Sequence, residues 1–266
     1  MNQIMKHAAG FAVAALTFVG ITQSAHAVEV QEVISKGGIR AWLIEDHMNP
    51  LMTMDIAFTG AGAATDPADK LGLANMVSGL IDEGAGAMDS QTFRGEMENR
   101  SISLTFDAGR DDFSGSLTTL TRERDTAIDL LRLALAEPRF DDEAIERIRS
   151  QIIAGLRRAE NDPGDIASRT FFSSIFGDHP YARPVSGTFE TVASLNANDF
   201  RNFVGRAFAK DNLIIGVAGD ITADELGPLL DEAFGSLPEH SDLPEIPDVT
   251  PAFGGLDVVD QDIPQS

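Results

Sequence analysis

The sequence contains no cysteine, which excludes disulfides, thiolate metal sites and thiol nucleophiles together. Histidine is almost as scarce. There are five, of which His7 and His26 fall in the first 27 residues, leaving His47, His179 and His240. No two of these three have a ligand spacing such as H-x-x-x-H, and none shares a helix with an acidic residue at a metal-binding offset. A G-x-S-x-G elbow, a P-loop and a G-x-G-x-x-G turn after a strand are all missing. Basic residues are few, 20 against 42 acidic ones, and the formal net charge of −22 argues against nucleic acid or an anionic membrane as partner. Such a charge suits either the attraction of basic peptides or an acidic surface kept for solubility. The single tryptophan, Trp42, falls in a strand-like run and reads as core.

What is present begins with a leader. Lys6 precedes the apolar run "AAGFAVAALTFVGI", and Ala25-His26-Ala27 forms an A-x-A cleavage site. A membrane anchor fits less well, because the run is short and Thr22, Gln23 and Ser24 follow it. The expectation is a signal peptide over residues 1–27, cleaved after Ala27, and a periplasmic product without a membrane span.

Three strand-like runs follow, "VEVQEVIS", "IRAWLIED" and "LMTMDIAF", separated by Gly37-Gly38 and Asn49-Pro50. A helix is predicted from about Leu71 to Glu83 and another from Ser90. "SISLTFDA" and "DFSGSLTTL" flank a charged turn and predict a hairpin. Further helices are predicted over "RDTAIDLLRLALAE", from Asp141-Asp142-Glu143 onward, over "NANDFRNFVGRAFA", and after the Thr222/Glu225 capping box. "NLIIGVAGD" reads as a buried central strand. The adjacent carboxylates Asp82-Glu83 and Asp111-Asp112 read as solvent-facing pairs. Elements arrive in groups rather than in strict alternation, which predicts an α+β fold with a mainly antiparallel sheet. The domain is expected over residues 28–237, followed by a Pro-rich, loosely held linker over 238–253. Residues 254–266 read as the start of a second domain in a longer polypeptide.

"GLANMVSGLIDEGAGAMDS" resembles the signature helix of the inverted-zincin peptidases: insulinase, pitrilysin and the mitochondrial processing peptidase. There the pattern is G-[LIV]-A-H-[FL]-x-E-H, and residues four apart share one helix face, so that two His bind Zn²⁺ while the Glu activates water. Gly72-Leu73-Ala74 match, but Asn75 stands at the first His position, Ser78 at the Glu position and Gly79 at the second His position. The family's third ligand is a Glu on a later helix; "IRSQIIAGLRRAENDP" places Ala154 or Gly155 there. "HPYARPVSGTFETV", together with the strand and "GD" that follow, is similar to the family's downstream segment.

The resemblance implies the family's half-domain, with helices packed on one side of the sheet. It implies a degenerate member with no catalytic residue and no zinc of its own, inactive alone. The expected role is that of a non-catalytic periplasmic subunit forming part of a peptide-binding chamber. Zinc would reside in a partner that carries H-x-x-E-H. Extended peptides would add to the edge strand at Thr105, Phe106 and Asp107, a stretch that reads equally as an ordinary edge blunted by charge. Two other readings are a structural or assembly protein of the same fold without peptide binding, and an enzyme built on His179 with Asp178 or His47 with Glu45 and Asp46.

Overall fold

The computed structural model describes residues 29–252, 254–256 and 258–260. The expected leader, its cleavage point after Ala27 and the last six residues lie outside the described residues. The chain opens with β1 (Gln31–Ile34), β2 (Arg40–Glu45) and β3 (Leu51–Thr59), then α1 (Leu73–Ser78), the two-residue strands β4 (Gly84–Ala85) and β5 (Met88–Asp89), and α2 (Ser90–Arg100). A hairpin of β6 (Ser103–Ala108) and β7 (Asp112–Leu120) leads into α3 (Arg124–Ala136), α4 (Asp142–Ala159) and α5 (Pro163–Phe176). The short α6 (Phe189–Ser194), α7 (Ala197–Ala207), β8 (Leu213–Gly219) and α8 (Ala223–Phe234) complete it.

Six strands form one sheet in the order β1-β2-β8-β3-β7-β6. Every neighbouring pair is antiparallel except β2 with β8. The fold is therefore α+β with a mostly antiparallel sheet, as the grouping of elements predicted. Alternation sets the two faces. Met52, Met54, Ile56 and Phe58 of β3 point into the core, and so do Phe113 and Leu117 of β7. The core is rich in rings, with Phe208 stacked on Phe58 at 4.4 Å and tilted against Phe113 at 4.9 Å.

The opposite face of the sheet is open. Trp42 is 48% exposed on it, because Ala41 and Leu43 take the core side of β2; its register partner is Gly216, which offers no side chain to cover it. The core assignment of Trp42 is thus corrected. β8 lies centrally in the pairing order yet is buried on one face only, with Ile214 exposed on the other.

Two further expectations change. The first helix runs from Leu73 to Ser78 rather than from Leu71 to Glu83. Gly72 adopts φ +87° at its start and Gly79 caps its end, leaving residues 79–83 in turns. The segment 238–252 has no regular secondary structure, but it is tied down as a strap. Lys210 N–H donates to Pro238 O, Asp242 N–H to Arg206 O and Ala252 N–H to Ile175 O, at 2.9, 2.9 and 3.0 Å. Residues 254–256 and 258–260 form no strand. Among the described residues no helix is long and apolar enough to cross a membrane.

Candidate functional site

The site is built around the start of α1. Asp66 is buried, and its carboxylate accepts from the backbone N–H groups of Gly72, Leu73 and Ala74 at 2.9, 3.0 and 3.1 Å. It thereby satisfies amide donors that the first turn leaves without helical partners. Burial pushes the Asp66 carboxyl up to about 7, against the three amides and the Arg183 charge, which pull it down. The left-handed Gly72 lets the chain pass close to Gly187 and to Ser186 O, where a Cβ would collide. Thr191 Oγ1 donates to Leu71 O at 2.7 Å. The two motif segments, far apart in sequence, therefore meet at this one helix start.

α1 packs against β6, α4 and α7. Asn75 is half-buried on it. Ser78 is buried, and its hydroxyl donates back to Asn75 O at 2.9 Å, so it is spent on its own helix. Gly79 supplies no side chain and abuts Ile148 of α4. On α4, Ala154 is exposed and Gly155 half-buried with open space around its Cα. An amide, a committed hydroxyl, two glycines and a methyl do not fit Zn²⁺, which takes imidazole, thiolate or carboxylate donors. Among the described residues no group of three or more His, Cys, Asp or Glu could hold a metal ion.

Immediately after α1 lies a charge cluster that the sequence reading missed. Glu83 is not solvent-facing: its side chain is only 1% exposed and pairs with Arg94 of α2 and Arg147 of α4, while the Ser90 hydroxyl also donates to it. Arg147 keeps one buried guanidinium nitrogen, Nη1, without a partner. Burial, helped by the neighbouring Glu83 charge, pushes the Asp82 carboxyl up to about 6, and Arg94 and Arg147 oppose the shift. Asp111 and Asp112 are exposed, as expected. Arg149, two residues beyond Arg147, donates to Val192 O and Leu195 O and so ties α4 to the end of α6. The signal for these contacts was the run of arginines along α4, but nothing local names their acceptors.

Of the other histidines, His47 lies between Glu45 and Asp220 rather than Asp46, with Nδ1 2.7 Å from Asp220 Oδ1. The hydrogen bond to Asp220 raises its pKa. His179 does not pair with Asp178. Its Nδ1 accepts from Tyr181 N–H, so Nε2–H donates to Pro247 O of the strap at 2.8 Å. Among the described residues no hydrogen bond joins either imidazole to a serine or threonine hydroxyl. Thr121 instead donates to the same Asp220 carboxylate.

β6 is one edge of the sheet, paired among the described residues with β7 alone. Thr105 and Asp107 are exposed on it, and Phe106 is half-buried over Gly115 on the core side.

The sequence pattern described as "Insulinase (Peptidase family M16)" matches residues 43–189, more than half of the chain. The chain belongs to the insulinase family. A second pattern, "Peptidase M16 inactive domain", matches residues 194–266. A relative from Helicobacter pylori, "Non-peptidase homolog YmxG", is 28% identical over 222 residues, covering 84% of this chain and 50% of the relative. The fold is shared with a crystal structure titled as the peptidase M16 inactive domain from Pseudomonas fluorescens, with TM-score 0.77 and 23% identity, covering 85% of this chain and 54% of that one. It is shared also with the periplasmic protease PqqL from Escherichia coli, with TM-score 0.72 and 16% identity, covering 83% of this chain and 26% of that one. The chain spans about half the length of the first two. It is a degenerate insulinase-type domain that keeps the helix frame and lacks zinc donors at the motif positions.

Proposed function

We propose that the chain acts as a non-catalytic subunit of an exported insulinase-type zinc peptidase, forming one wall of a peptide-binding chamber. The observation that carries this is the packing of α1 against β6: a helix with the family's frame but none of its ligands lies beside a free sheet edge. An extended peptide adds to such an edge through main-chain hydrogen bonds, which require no metal from the wall that provides it. Thr105 and Asp107 would flank that peptide, while Phe106 anchors the strand inward. Zinc and the general base would come from a partner carrying an intact H-x-x-E-H helix. The leader-like pattern over residues 1–27 supports a periplasmic setting, and a neighbour of the same fold is itself described as a periplasmic protease.

The test mixes the purified chain with an H-x-x-E-H homologue from the same organism and follows cleavage of a fluorogenic peptide. The chain alone is expected to cleave nothing, and the mixture to cleave at least tenfold faster than the partner alone. Thr105→Lys should abolish that gain without preventing association, since a lysine blunts an edge against added strands. A stable complex with no gain in rate would favour the assembly reading instead. Chelator-sensitive hydrolysis by this chain alone would overturn both.

A further inference from the structure

A cleft of about 480 Å³ lies between the domain body and the strap, a size within the range of small-ligand sites, about 300–1,000 Å³. Neither the β6 edge nor the degenerate α1 positions line it. Its walls mix polar side chains with apolar ones: Pro67 and Pro180 on the body, Leu243 and Ile246 on the strap.

The polar groups in the cleft divide sharply into committed and free. The Thr65 hydroxyl donates to the carbonyls of Gly60 and Gly62, and the Asp66 carboxylate is occupied by three amides. Two half-buried arginines remain. Arg183 makes one long contact, 3.3 Å to Asp66 O, and the Arg206 side chain makes no hydrogen bond or ion pair among the described residues. The carboxylates on the strap wall, Asp242 and Glu245, are exposed and pair with neither arginine. In a chain with twice as many acids as bases, an Arg206 without a side-chain partner among the described residues, beside an Arg183 held by one long bond, is unexpected in the lining of a cleft. Guanidinium presents planar paired donors that match a carboxylate.

We propose that this cleft binds a carboxylate carried on a short apolar body, with the acid group on Arg206 and Arg183 and the apolar part against the prolines, Leu243 and Ile246. The free C-terminus of a peptide and a small organic acid share that chemistry.

Calorimetric titration of the intact chain with acetyl-dileucine, its C-terminal amide and hexanoate tests it. The dipeptide acid should saturate, and the amide should bind at least tenfold more weakly. Arg206→Met should weaken acid binding at least tenfold while the melting temperature stays unchanged, because this side chain bonds nothing in the fold. Arg206→Lys should recover part of the affinity. Tighter binding of the dipeptide than of hexanoate assigns the site to peptide C-termini, and equal binding assigns it to free acids. Equal affinity for acid and amide, no saturable binding of the acid at millimolar concentration, or an Arg206→Met variant that binds like its parent would each overturn the proposal.

Discussion

Gly79 and Ile148 meet closely: the Ile148 Cγ2 methyl lies 3.2 Å from where a Cβ on Gly79 would sit, so a side chain there needs the isoleucine to give by a few tenths of an ångström. The helix carrying the degenerate positions and the helix carrying Ala154 and Gly155 are thus pressed together where the family's second histidine would project.

Gly79→His alone should therefore destabilise the chain by about 1–3 kcal/mol through overpacking. In an Ile148→Ala background that penalty should shrink by at least half, a coupling that denaturant titration of the four variants would measure. The full set Asn75→His, Ser78→Glu, Gly79→His and Ile148→Ala, with Glu at position 154 or 155 in turn, should bind zinc when Glu replaces the half-buried Gly155. The parent should bind none. Calorimetry detects the difference, and failure of every variant with its circular dichroism intact would mean that these positions do not face one another.

Stability should increase on mild acidification. Asp66 at about 7 and Asp82 at about 6 both lie above the ordinary 3.8. The folded chain then binds more protons than the unfolded one across that interval. Their contribution is fully present below 3.8 and is lost as pH rises through 6 and 7. The melting temperature should therefore climb from pH 8 to pH 5, and Asp82→Asn should flatten the part near pH 6. Glu225, held down to about 2 first of all by Arg124, works in the opposite sense as pH falls below 4.5. A steady fall in melting temperature from pH 8 to pH 5 would contradict these assignments.

Glu83 joins α1's exit to two other helices, and Glu83→Ala should lower stability by about 2–3 kcal/mol. That is less than the 3–5 kcal/mol of a fully buried pair, because the Arg94 and Arg147 side chains are 50% and 37% exposed and can turn to water. For a domain of this size the melting temperature should drop by roughly 5–10 °C. A change under 0.5 kcal/mol would show that the bridges contribute nothing.

The strap offers a kinetic test. No lysine or arginine follows Lys210, so trypsin cannot cut it, but a glutamate-specific protease can cut at Glu239 and Glu245. His179→Ala removes the donor to Pro247 O and should speed cleavage at Glu245. Cleavage at Glu239, held separately by Lys210 at 2.7 Å, should keep its rate. Mass spectrometry of a time course resolves the two sites.

The elements were legible where a local rule acts alone. Alternation gave β3 and β7, helical spacing gave α3 and α4, and the Thr222/Glu225 box marked the start of α8 where the structure has it. Where the rule was non-local, it failed. Trp42 reads as core by residue type, yet its side of the sheet is decided by which face the helices cover. Asp82-Glu83 read as a solvated pair because the two arginines that bury Glu83 come from 11 and 64 residues away. The degenerate α1 positions were visible in sequence, but their meaning as a packed contact was not, since Ile148 lies far down the chain. The strap reads as loose because its partners are backbone groups and side chains elsewhere in the chain, which leave no mark on its own composition.

The open sheet face gives the molecule an optical property. Trp42 is the only tryptophan, and it lies about half exposed beside Gly216 rather than in the phenylalanine-rich core. Its fluorescence should be red-shifted in the folded chain and change little on unfolding, so an emission-monitored melt would under-report loss of the core. Far-ultraviolet dichroism should register that loss in full. The same indole becomes a sensitive reporter of anything that settles on the open face, for a blue shift there would signal coverage without a change in fold.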